Sequence, residues 1–395
     1  MNQEHADAFA PIVAAAARLL SERFGREVSL GAAVQLSEED RRNLLLRVHD
    51  ICGPTSFSFI IKKVVVEKYD PEDTASWDSR RFFSDWAGAE FLSAVLDVPR
   101  SPRFYGGDYS TGFFMLEDLG EHRSLVEPLL EGDAVGAERA LLSLSTCLGS
   151  VHAGTIGQAA AFERVLGAIG PHVGTFSQAL TGVGERVNQL LPLLDGLGVR
   201  SETNLRAELD AVVNAIESPG PFFSYIHGDP CPDNVFWDGK ELRLFDFEFG
   251  GFGHALVDAA YGRMIFPTCW CANRVPNNLI SRMEAAYRAE LAKGCVEAQD
   301  DRIFETAMAR VCGFWLLSTL GQSLARALEA DRTWGIGTIR QRLLARLEAF
   351  IATAEEFDQL PALRGTANRL LEALHRQWGE TPPLPLYPAF QRASP

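Results

Sequence analysis

The first 120 residues alternate between short apolar runs and polar breaks. After an amphipathic N-terminal segment, three apolar runs occupy residues 28–36, 43–51 and 58–66, and they are separated by an acidic turn and a Gly-Pro turn. Runs of this length that are rich in Val, Ile, Leu and Phe are typical of β-strands. The pattern therefore predicts an antiparallel meander of three strands.

A helical period replaces this alternation over residues 74–96. Its apolar positions recur at steps of three and four residues, and the pattern stops near Pro99. Two more strand-like runs follow at residues 103–106 and 112–116. The first part of the chain is thus expected to hold five short strands, with one helix inserted after the third.

Most of the remaining chain has a helical period. Residues 155–220 are interpreted as a helical insertion, and short strands return near 222–248, where Asp238 and Gly239 predict the turn of a β-hairpin. The sequence therefore predicts an α+β fold with a mainly β N-lobe over residues 1–117 and a mainly helical C-lobe over residues 118–395.

Composition narrows the classes of partner. The 395 residues are 47% hydrophobic and carry a formal net charge of −15. This charge argues against nucleic acid and anionic membranes as general partners, because cationic side chains drive such binding, whereas a cationic substrate is compatible with it.

No segment reaches the roughly 18 uninterrupted apolar residues of a membrane span. The apolar stretch at 8–17 lacks a basic leader and is interpreted as a helix, not a signal peptide.

The cysteines indicate the redox state expected for the chain. There are seven, an odd number, scattered over its length. Such a set is a poor disulfide framework and favours reduced, buried thiols in a cytoplasmic protein. Cys269 and Cys271 are separated by one residue, which is narrower than the usual spacing of zinc ligands, and no second ligand pair accompanies them. Neither a disulfide nor a zinc site is expected.

Acidic and amide side chains concentrate around the hairpin. The segment His-Gly-Asp-Pro-Cys-Pro-Asp-Asn begins at His227, and Asp246-Phe247-Glu248 follows at the end of the next apolar strand. A carboxylate at a strand end, a second carboxylate on the preceding loop and an asparagine five residues after it can together hold Mg²⁺ and address a hydroxyl. Phosphoryl transfer needs this combination, since the metal ligand and the group that accepts the proton are different residues.

These two motifs resemble the aminoglycoside phosphotransferase and choline kinase-like family, whose fold is similar to that of protein kinases. The resemblance implies a two-lobed protein-kinase-like fold and assigns Asp229 as the catalytic base, Asn234 and Asp246 as magnesium ligands, and His227 as a brace for the catalytic loop. Glu248 occupies a position where the resemblance allows a contact with a second metal, an ordered water or the substrate.

Further assignments follow from the same resemblance. Asp258, at the start of a predicted helix, is expected to hydrogen-bond the backbone of the catalytic loop. The pair Lys62-Lys63 lies in the third strand, where alternation lets only one lysine face the nucleotide phosphates. The resemblance to Val-Ala-Ile-Lys patterns selects Lys62. Glu90 lies among apolar residues on the next helix and is expected to pair with this lysine, because a charge there is costly without a partner.

The segment that ends at Asp118 resembles the hinge that binds the purine in this family. Backbone groups of Leu116 and Asp118 are the expected contacts. The loop at residues 37–42 has no Gly-x-Gly-x-x-Gly pattern, so the phosphate contacts must come from other groups in that loop. That absence, and the replacement of Asp-Phe-Gly by Asp-Phe-Glu, argue against protein substrates.

The resemblance implies a small-molecule kinase. It would use Mg²⁺ and ATP or GTP to phosphorylate a hydroxyl, with an aminoglycoside or another antibiotic as a candidate acceptor and antibiotic resistance as the corresponding role. Choline, a sugar or another metabolite is the alternative acceptor, and a catalytically weak nucleotide-binding regulatory module is the other alternative. Four tryptophans of the C-lobe fit either an aromatic box for a quaternary amine or ordinary core packing. They are Trp270, Trp315, Trp334 and Trp378.

Overall fold

A computed structural model describes most of the chain. It covers residues 3–38, 42–52, 57–65, 69–70, 72–73, 76–121, 123–170, 173 and 182–391. The predicted turn at 53–55 and residues 39–41 of the predicted phosphate loop lie outside the described residues.

Helices account for most of the described chain. They are α1 (Gln3–Phe24), α2 (Trp77–Val95), α3 (Val126–Leu130), α4 (Ala134–Thr155), α5 (Ala159–Ile169), α6 (Val183–Gly196), α7 (Leu205–Glu217), α8 (Leu256–Ala259), α9 (Asn277–Leu291), α10 (Asp301–Glu329), α11 (Ile339–Glu356) and α12 (Pro361–Trp378).

The strands are short. They are β1 (Val34–Gln35), β2 (Asn43–His49), β3 (Ser58–Val64), β4 (Phe104–Asp108), β5 (Phe113–Glu117), β6 (Phe223–Ile226), β7 (Val235–Trp237), β8 (Leu242–Leu244), β9 (Gly251–His254), β10 (Thr333–Trp334) and β11 (Gly337–Thr338).

The chain packs as two compact units. Unit 1 consists of Met1–His122, Ala160–Phe176 and Arg243–Gly251, and unit 2 consists of the rest. The predicted boundary at residue 117 therefore differs from the observed division, because two later segments return to unit 1. The first of them lies inside the predicted helical insertion.

Unit 1 is built on an antiparallel sheet with the strand order β1-β2-β3-β5-β4. Phe113 and Met115 of β5 point into a core that also contains Ala16 and Leu20 of α1. Phe114 points the other way and packs against Phe82 of α2, with ring centroids 5.3 Å apart. Since side chains alternate along a strand, each face of the sheet is covered by a different helix.

The strand predictions hold for most of this sheet. The runs at 43–51 and 58–66 form β2 and β3, which pair antiparallel over their whole lengths, and β4 and β5 also form. The first run is different, because only Val34 and Gln35 are in a strand, and Leu30 makes an isolated bridge to Asp50. The α2 helix begins at Trp77, where the Ser76 side chain accepts a hydrogen bond from the Ser79 backbone.

Unit 2 is mainly helical. Its α4 helix buries Leu141, Leu144, Leu148 and Val151, the face that the sequence pattern predicts. The long helix α10 lies in the core and packs against α6, α7 and α11. By length and composition α10 could cross a membrane, but 72% of its apolar stretch is buried inside the protein. The predicted α+β fold, with an antiparallel sheet unit and a mainly helical unit, is confirmed.

Candidate active site

Lys62 lies on β3 of unit 1, on the face of the sheet that is covered by α2. Its side chain is buried, and its Nζ lies 2.6 Å from Asp85 Oδ2 and 2.6 Å from Asp246 Oδ1. Burial alone would lower the pKa of Lys62, but the carboxylates of Asp246 and then Asp85 outweigh burial and raise it. The ammonium group is therefore charged at neutral pH.

Lys63 points to the opposite face of the same strand. Its Nζ donates a hydrogen bond to the backbone oxygen of Thr111 and lies 5.6 Å from the centroid of the Tyr69 ring. Of the two lysines, Lys62 is thus the one that the fold brings to acidic side chains.

The acidic partner from α2 is Asp85, and the prediction that Glu90 would pair with Lys62 was wrong. Asp85 is almost completely buried, and its Oδ1 also accepts a hydrogen bond from the Phe247 backbone at 2.7 Å. Glu90 instead accepts a hydrogen bond from Trp86 Nε1 at 2.9 Å. Five residues along an α-helix correspond to a rotation of about 140°, so Asp85 and Glu90 face different neighbours.

Substitutions of Asp85 and Glu90 distinguish the residue that pairs with Lys62 from the one that does not. We expect Asp85→Asn to lower the free energy of unfolding by about 1.5–3 kcal/mol, because it removes a charged hydrogen-bond partner from a buried lysine. The matched control is Glu90→Gln, which keeps an acceptor for Trp86 and should leave stability nearly unchanged. Urea unfolding of both variants measures the difference, and an equal or larger loss for Glu90→Gln would contradict the assignment.

Asp246 follows β8 in a left-handed backbone conformation, with φ of 67°. For a residue other than glycine this conformation costs on the order of 1–3 kcal/mol, and it persists where the surroundings fix it. Here Lys62 binds its carboxylate, and the next backbone N–H is bound by Asp85. The side chain is nevertheless 31% exposed, so a ligand can reach it.

Glu248 is held by the basic side chains of unit 1. Its Oε2 accepts hydrogen bonds from Arg81 and, at 3.2 Å, from Arg42, while its Oε1 accepts one from Asn43 at 3.0 Å. Two guanidinium groups at one carboxylate would repel a divalent cation. The structure therefore argues against the predicted metal role of Glu248 and makes it an anchor for Arg81 of α2, for Asn43 at the start of β2 and for Arg42 just before it.

The hinge-like segment ends in an ion pair. Asp118 binds Arg47 through two hydrogen bonds, of 2.7 Å to Nε and 3.0 Å to Nη2. Burial alone would raise the pKa of Asp118, but hydrogen bonds from Arg47 and Ser58 lower it. Leu116 lies in β5, where it is paired with Ile60 on β3. The contact of the Leu116 and Asp118 backbones with a purine stays a prediction.

The loop between β6 and β7 of unit 2 carries Asp229 and is called the catalytic loop below; it spans residues 227–234. Asp258, on α8, accepts hydrogen bonds from the backbone nitrogens of His227 at 2.7 Å and Gly228 at 3.0 Å. This is the contact that the family resemblance implied. His227 is buried, and its Nδ1 lies 3.4 Å from the backbone nitrogen of Asp229.

Two buried side chains, His152 and Tyr287, hold Asp258 through successive hydrogen-bond contacts. His152 Nε2 on α4 lies 3.2 Å from Asp258 Oδ2, and His152 Nδ1 lies 2.8 Å from the hydroxyl of Tyr287 on α9. The sequence contains no signal for this chain of contacts, because its members come from three helices. It ties the start of the catalytic loop to the helical core of unit 2.

Asp229 and Asn234, five residues apart on the loop, contact each other. Asn234 Nδ2 donates to the backbone oxygen of Asp229 at 3.0 Å and lies 3.3 Å from its Oδ2. The Oδ1 atom of Asp229 accepts a hydrogen bond from Thr268 and lies 3.4 Å from the hydroxyl of Tyr261. Thr268 and Tyr261 are functional candidates that sequence reasoning missed, since no motif marks them.

A disulfide joins the catalytic loop to the segment that contains Thr268. Cys231 and Cys269 are bonded, with their Cα atoms 5.5 Å apart. The prediction that all thiols are reduced was therefore wrong, and the cytoplasmic location loses the support that it drew from reduced thiols. The two cysteines are 38 residues apart in sequence, so only the fold shows that they meet.

Among the described residues, no group of three or more His, Cys, Asp or Glu side chains could hold a metal ion.

The four tryptophans have different partners in unit 2. Trp315 is buried and donates to the backbone oxygen of Val257 at 2.9 Å, which is ordinary core packing. Trp270 donates a hydrogen bond of 2.8 Å to Asp233. Arg342 lies 4.5 Å from the centroid of the Trp334 ring, and Arg340 lies 4.9 Å from the centroid of the Trp378 ring, so both pairs make cation–π contacts. These contacts do not favour one aromatic box made by all four.

The chain matches the model of one protein family, described as the phosphotransferase enzyme family (APH), over residues 90–293. This is more than half of the chain. The matched region contains the catalytic loop, Asp246 and Asp258, and it begins after Lys62. No curated protein matches the sequence.

Solved structures of low identity are also similar. A choline/ethanolamine kinase family protein from Mesorhizobium loti is 15% identical with a TM-score of 0.41, over 88% of this chain and 93% of that chain. A choline kinase from Cryptosporidium parvum Iowa II is 13% identical with a TM-score of 0.45, over 87% and 92%. An aminoglycoside 2'-phosphotransferase-IIIa, solved as its GDP complex, is 16% identical with a TM-score of 0.44, over 87% and 99%.

The family match confirms the resemblance that the catalytic-loop motif and the Asp-Phe-Glu motif carry. The chain therefore belongs to the APH phosphotransferase enzyme family and is a small-molecule kinase with a protein-kinase-like fold.

Proposed function

We propose that this kinase transfers the γ-phosphoryl group of ATP or GTP, bound as its magnesium complex, to a hydroxyl group of a small molecule. The observation that supports this most is the catalytic loop, in which the Asp229 carboxylate lies beside the Asn234 amide and Asp258 binds the backbone of the two residues that precede Asp229. Family membership gives the reaction class, which is phosphoryl transfer. Individual side chains are proposed to bind the metal, bind the phosphates and orient the hydroxyl.

Each of the two proposed magnesium ligands presents an oxygen atom of a kind that Mg²⁺ accepts. Asn234 commits its Nδ2 to Asp229, which leaves the amide oxygen as a ligand atom, and Asp246 presents a partly exposed carboxylate. Oxygen atoms of carboxylates and amides are ligands that Mg²⁺ accepts, usually together with waters and phosphate oxygens. When bound, the metal would neutralise charge on the phosphate oxygens. Asn234 and Asp246 are proposed to hold it, and Lys62 to bind the phosphates.

Asp229 is proposed to accept or orient the proton of the attacking hydroxyl. Its carboxylate is oriented through both oxygens, since Oδ1 accepts from Thr268 and Oδ2 lies beside Asn234. Catalysis in this reaction class comes mainly from positioning and charge stabilisation, so a fixed carboxylate is what the step requires.

Nucleotide binding is the first test. With Mg²⁺ present, ATP or GTP at 100 times its Kd should stabilise the folded protein by about 2.7 kcal/mol, because the ligand binds only the folded state. Thermal unfolding with nucleotide and Mg²⁺, compared with nucleotide plus EDTA and with Mg²⁺ alone, measures this. If neither nucleotide raises the Tm in the presence of Mg²⁺, the proposed function is wrong.

Two classes of small molecule are candidates for the acceptor that carries the hydroxyl group. Aminoglycosides and other antibiotics are proposed first; a net charge of −15 is compatible with cationic acceptors of this class, and equally with choline, which is a cation as well. Choline and sugars are the alternative. A panel of aminoglycosides, nucleoside antibiotics, choline and sugars, scored by ADP release that depends on the acceptor, separates these classes. Nucleotide binding without turnover of any member would favour the regulatory module.

A further inference from the structure

Three consecutive residues contact alternate residues of the catalytic loop, all within unit 2. The segment 268–270 lies beside the loop, and its contacts follow the direction of the loop. They are Thr268 with Asp229 by a hydrogen bond, Cys269 with Cys231 by the disulfide, and Trp270 with Asp233 by a hydrogen bond of 2.8 Å. The loop is therefore held at the proposed base and at the second and fourth residues after it.

The segment 268–270 is itself fixed by a buried arginine. Arg342, on α11, donates to the backbone oxygens of Cys269 and Trp270, each at 2.6 Å, and to that of Trp334 at 2.8 Å. Gly335 packs against the segment so closely that an added Cβ would lie 1.9 Å from the Trp270 oxygen. A buried guanidinium that binds three carbonyl oxygens makes the segment a rigid support for the catalytic loop.

We propose that the segment 268–270 positions Asp229 for the phosphoryl transfer, and that the thiol or disulfide state of Cys231 and Cys269 controls the rate of that transfer. Thr268 is then a positioning residue, which acts through Asp229. The inference rests on the proposed function, in which Asp229 serves the acceptor hydroxyl.

The position of Cys231 explains how reduction would act. Its Sγ lies 3.1 Å from Asp229 Oδ1 and 3.3 Å from Thr268 Oγ1. In the disulfide this sulfur carries no hydrogen. After reduction, a thiol at the same place donates an S–H hydrogen bond to Asp229 and competes with the acceptor hydroxyl. Reduction also removes the central link between the loop and its support, so both effects slow the reaction.

The redox step requires a reductant of the dithiol class. One thiolate of the dithiol attacks a sulfur of the Cys231–Cys269 bond, which forms a mixed disulfide and releases the other cysteine as a thiolate. The second thiol of the reductant then displaces the remaining cysteine. Two electrons and two protons pass to Cys231 and Cys269, and the dithiol becomes a disulfide. Both cysteines are buried, so a small dithiol is the appropriate reagent.

The test compares the oxidised and reduced forms of the full-length protein. Maleimide labelling after denaturation should count five thiols before treatment with dithiothreitol and seven after it, since the structure has one disulfide and five free cysteines. With an acceptor found in the panel, kcat should fall by about 10- to 100-fold on reduction, the size of effect that a misplaced group produces. The KM for the nucleotide should change little, and reoxidation should restore kcat.

Variants separate the two effects of reduction. Cys231→Ala and Cys269→Ala both remove the link, but only Cys269→Ala leaves a thiol beside Asp229, so its kcat should be the lower of the two. Thr268→Val should lower kcat with little change in the nucleotide KM, and Thr268→Ser should restore it, because serine keeps the hydroxyl. Cys52→Ala, at an exposed free cysteine of unit 1, is the matched control and should respond to dithiothreitol as the unaltered protein does.

The outcomes are distinguishable. If the unaltered protein turns over an acceptor equally well with five and with seven thiols, the inference is wrong and the proposed function stands. Seven thiols before reduction would also overturn it. If Mg²⁺-nucleotide neither binds nor reacts in either redox state, the proposed function fails and the inference fails with it. Because the oxidised and reduced forms have one sequence, the comparison does not depend on whether a variant folds.

Discussion

Replacement of Asp229 by asparagine is expected to lower kcat by about 10²–10⁴-fold, the range of general-base and orientation effects. Asparagine keeps the shape of the side chain and can still meet Asn234, but it removes the negative charge that accepts or orients the proton. The affinity for the Mg²⁺-nucleotide should change little, because Asp229 is not proposed as a metal ligand. Steady-state kinetics with an acceptor from the panel, together with calorimetric nucleotide titration, measures both quantities.

Asp246→Asn is the comparison that separates the two roles. It deletes a charged ligand of the proposed metal, so it should weaken binding of the Mg²⁺-nucleotide as well as turnover. If Asp229→Asn keeps nearly normal turnover, the base is misassigned. Asp233 then becomes the next candidate ahead of Glu248, because Glu248 is held by Arg42 and Arg81.

Lys62→Met is expected to have the largest effect on stability as well as on nucleotide binding. It leaves the buried carboxylate of Asp85 and the carboxylate of Asp246 without their common cation, and removal of one partner from a buried ion pair typically costs about 3–5 kcal/mol. The phosphates of the nucleotide also lose their proposed cation. Urea unfolding and nucleotide titration of the purified variant measure the two losses separately.

Lys63→Met is the matched control on the same strand. It removes a hydrogen bond to the Thr111 backbone oxygen and a cation–π contact with Tyr69, and should cost about 1–2 kcal/mol, less than the loss of Lys62. A larger loss of nucleotide affinity for Lys63→Met than for Lys62→Met would reverse the assignment and the inferred face of β3.

The pattern of apolar residues predicts the elements that have a clear period of their own. The strands β2 and β3 and the helix α2 lie where the period places them, and the alternation along β3 correctly puts Lys62 and Lys63 on opposite faces. The catalytic loop could be located because its motif is continuous in sequence. Asp229 and Asn234 are only five residues apart in the same loop.

Contacts between distant elements could not be predicted in this way. The choice between Asp85 and Glu90 depends on the rotation of α2 about its axis relative to β3, which apolar periodicity leaves undetermined when most of the helix is buried. The partners of Glu248 come from residues more than 160 positions away, and the link between Cys231 and Cys269 depends on how a loop packs. Such pairings have no local signal, since they follow from tertiary packing alone.

Unit 1 is assembled from three separate segments of the sequence, so it cannot be completed until the last of them has been synthesised on the ribosome. Lys62 and Asp85 emerge early, but their partner Asp246 emerges only after most of the sequence has been translated. Until then the buried ammonium group lacks one of its two carboxylates, and a chain ended at residue 122 would lack it permanently. We therefore expect the nascent N-terminal sheet to complete its packing late, although domains are generally expected to fold from the N-terminus onwards.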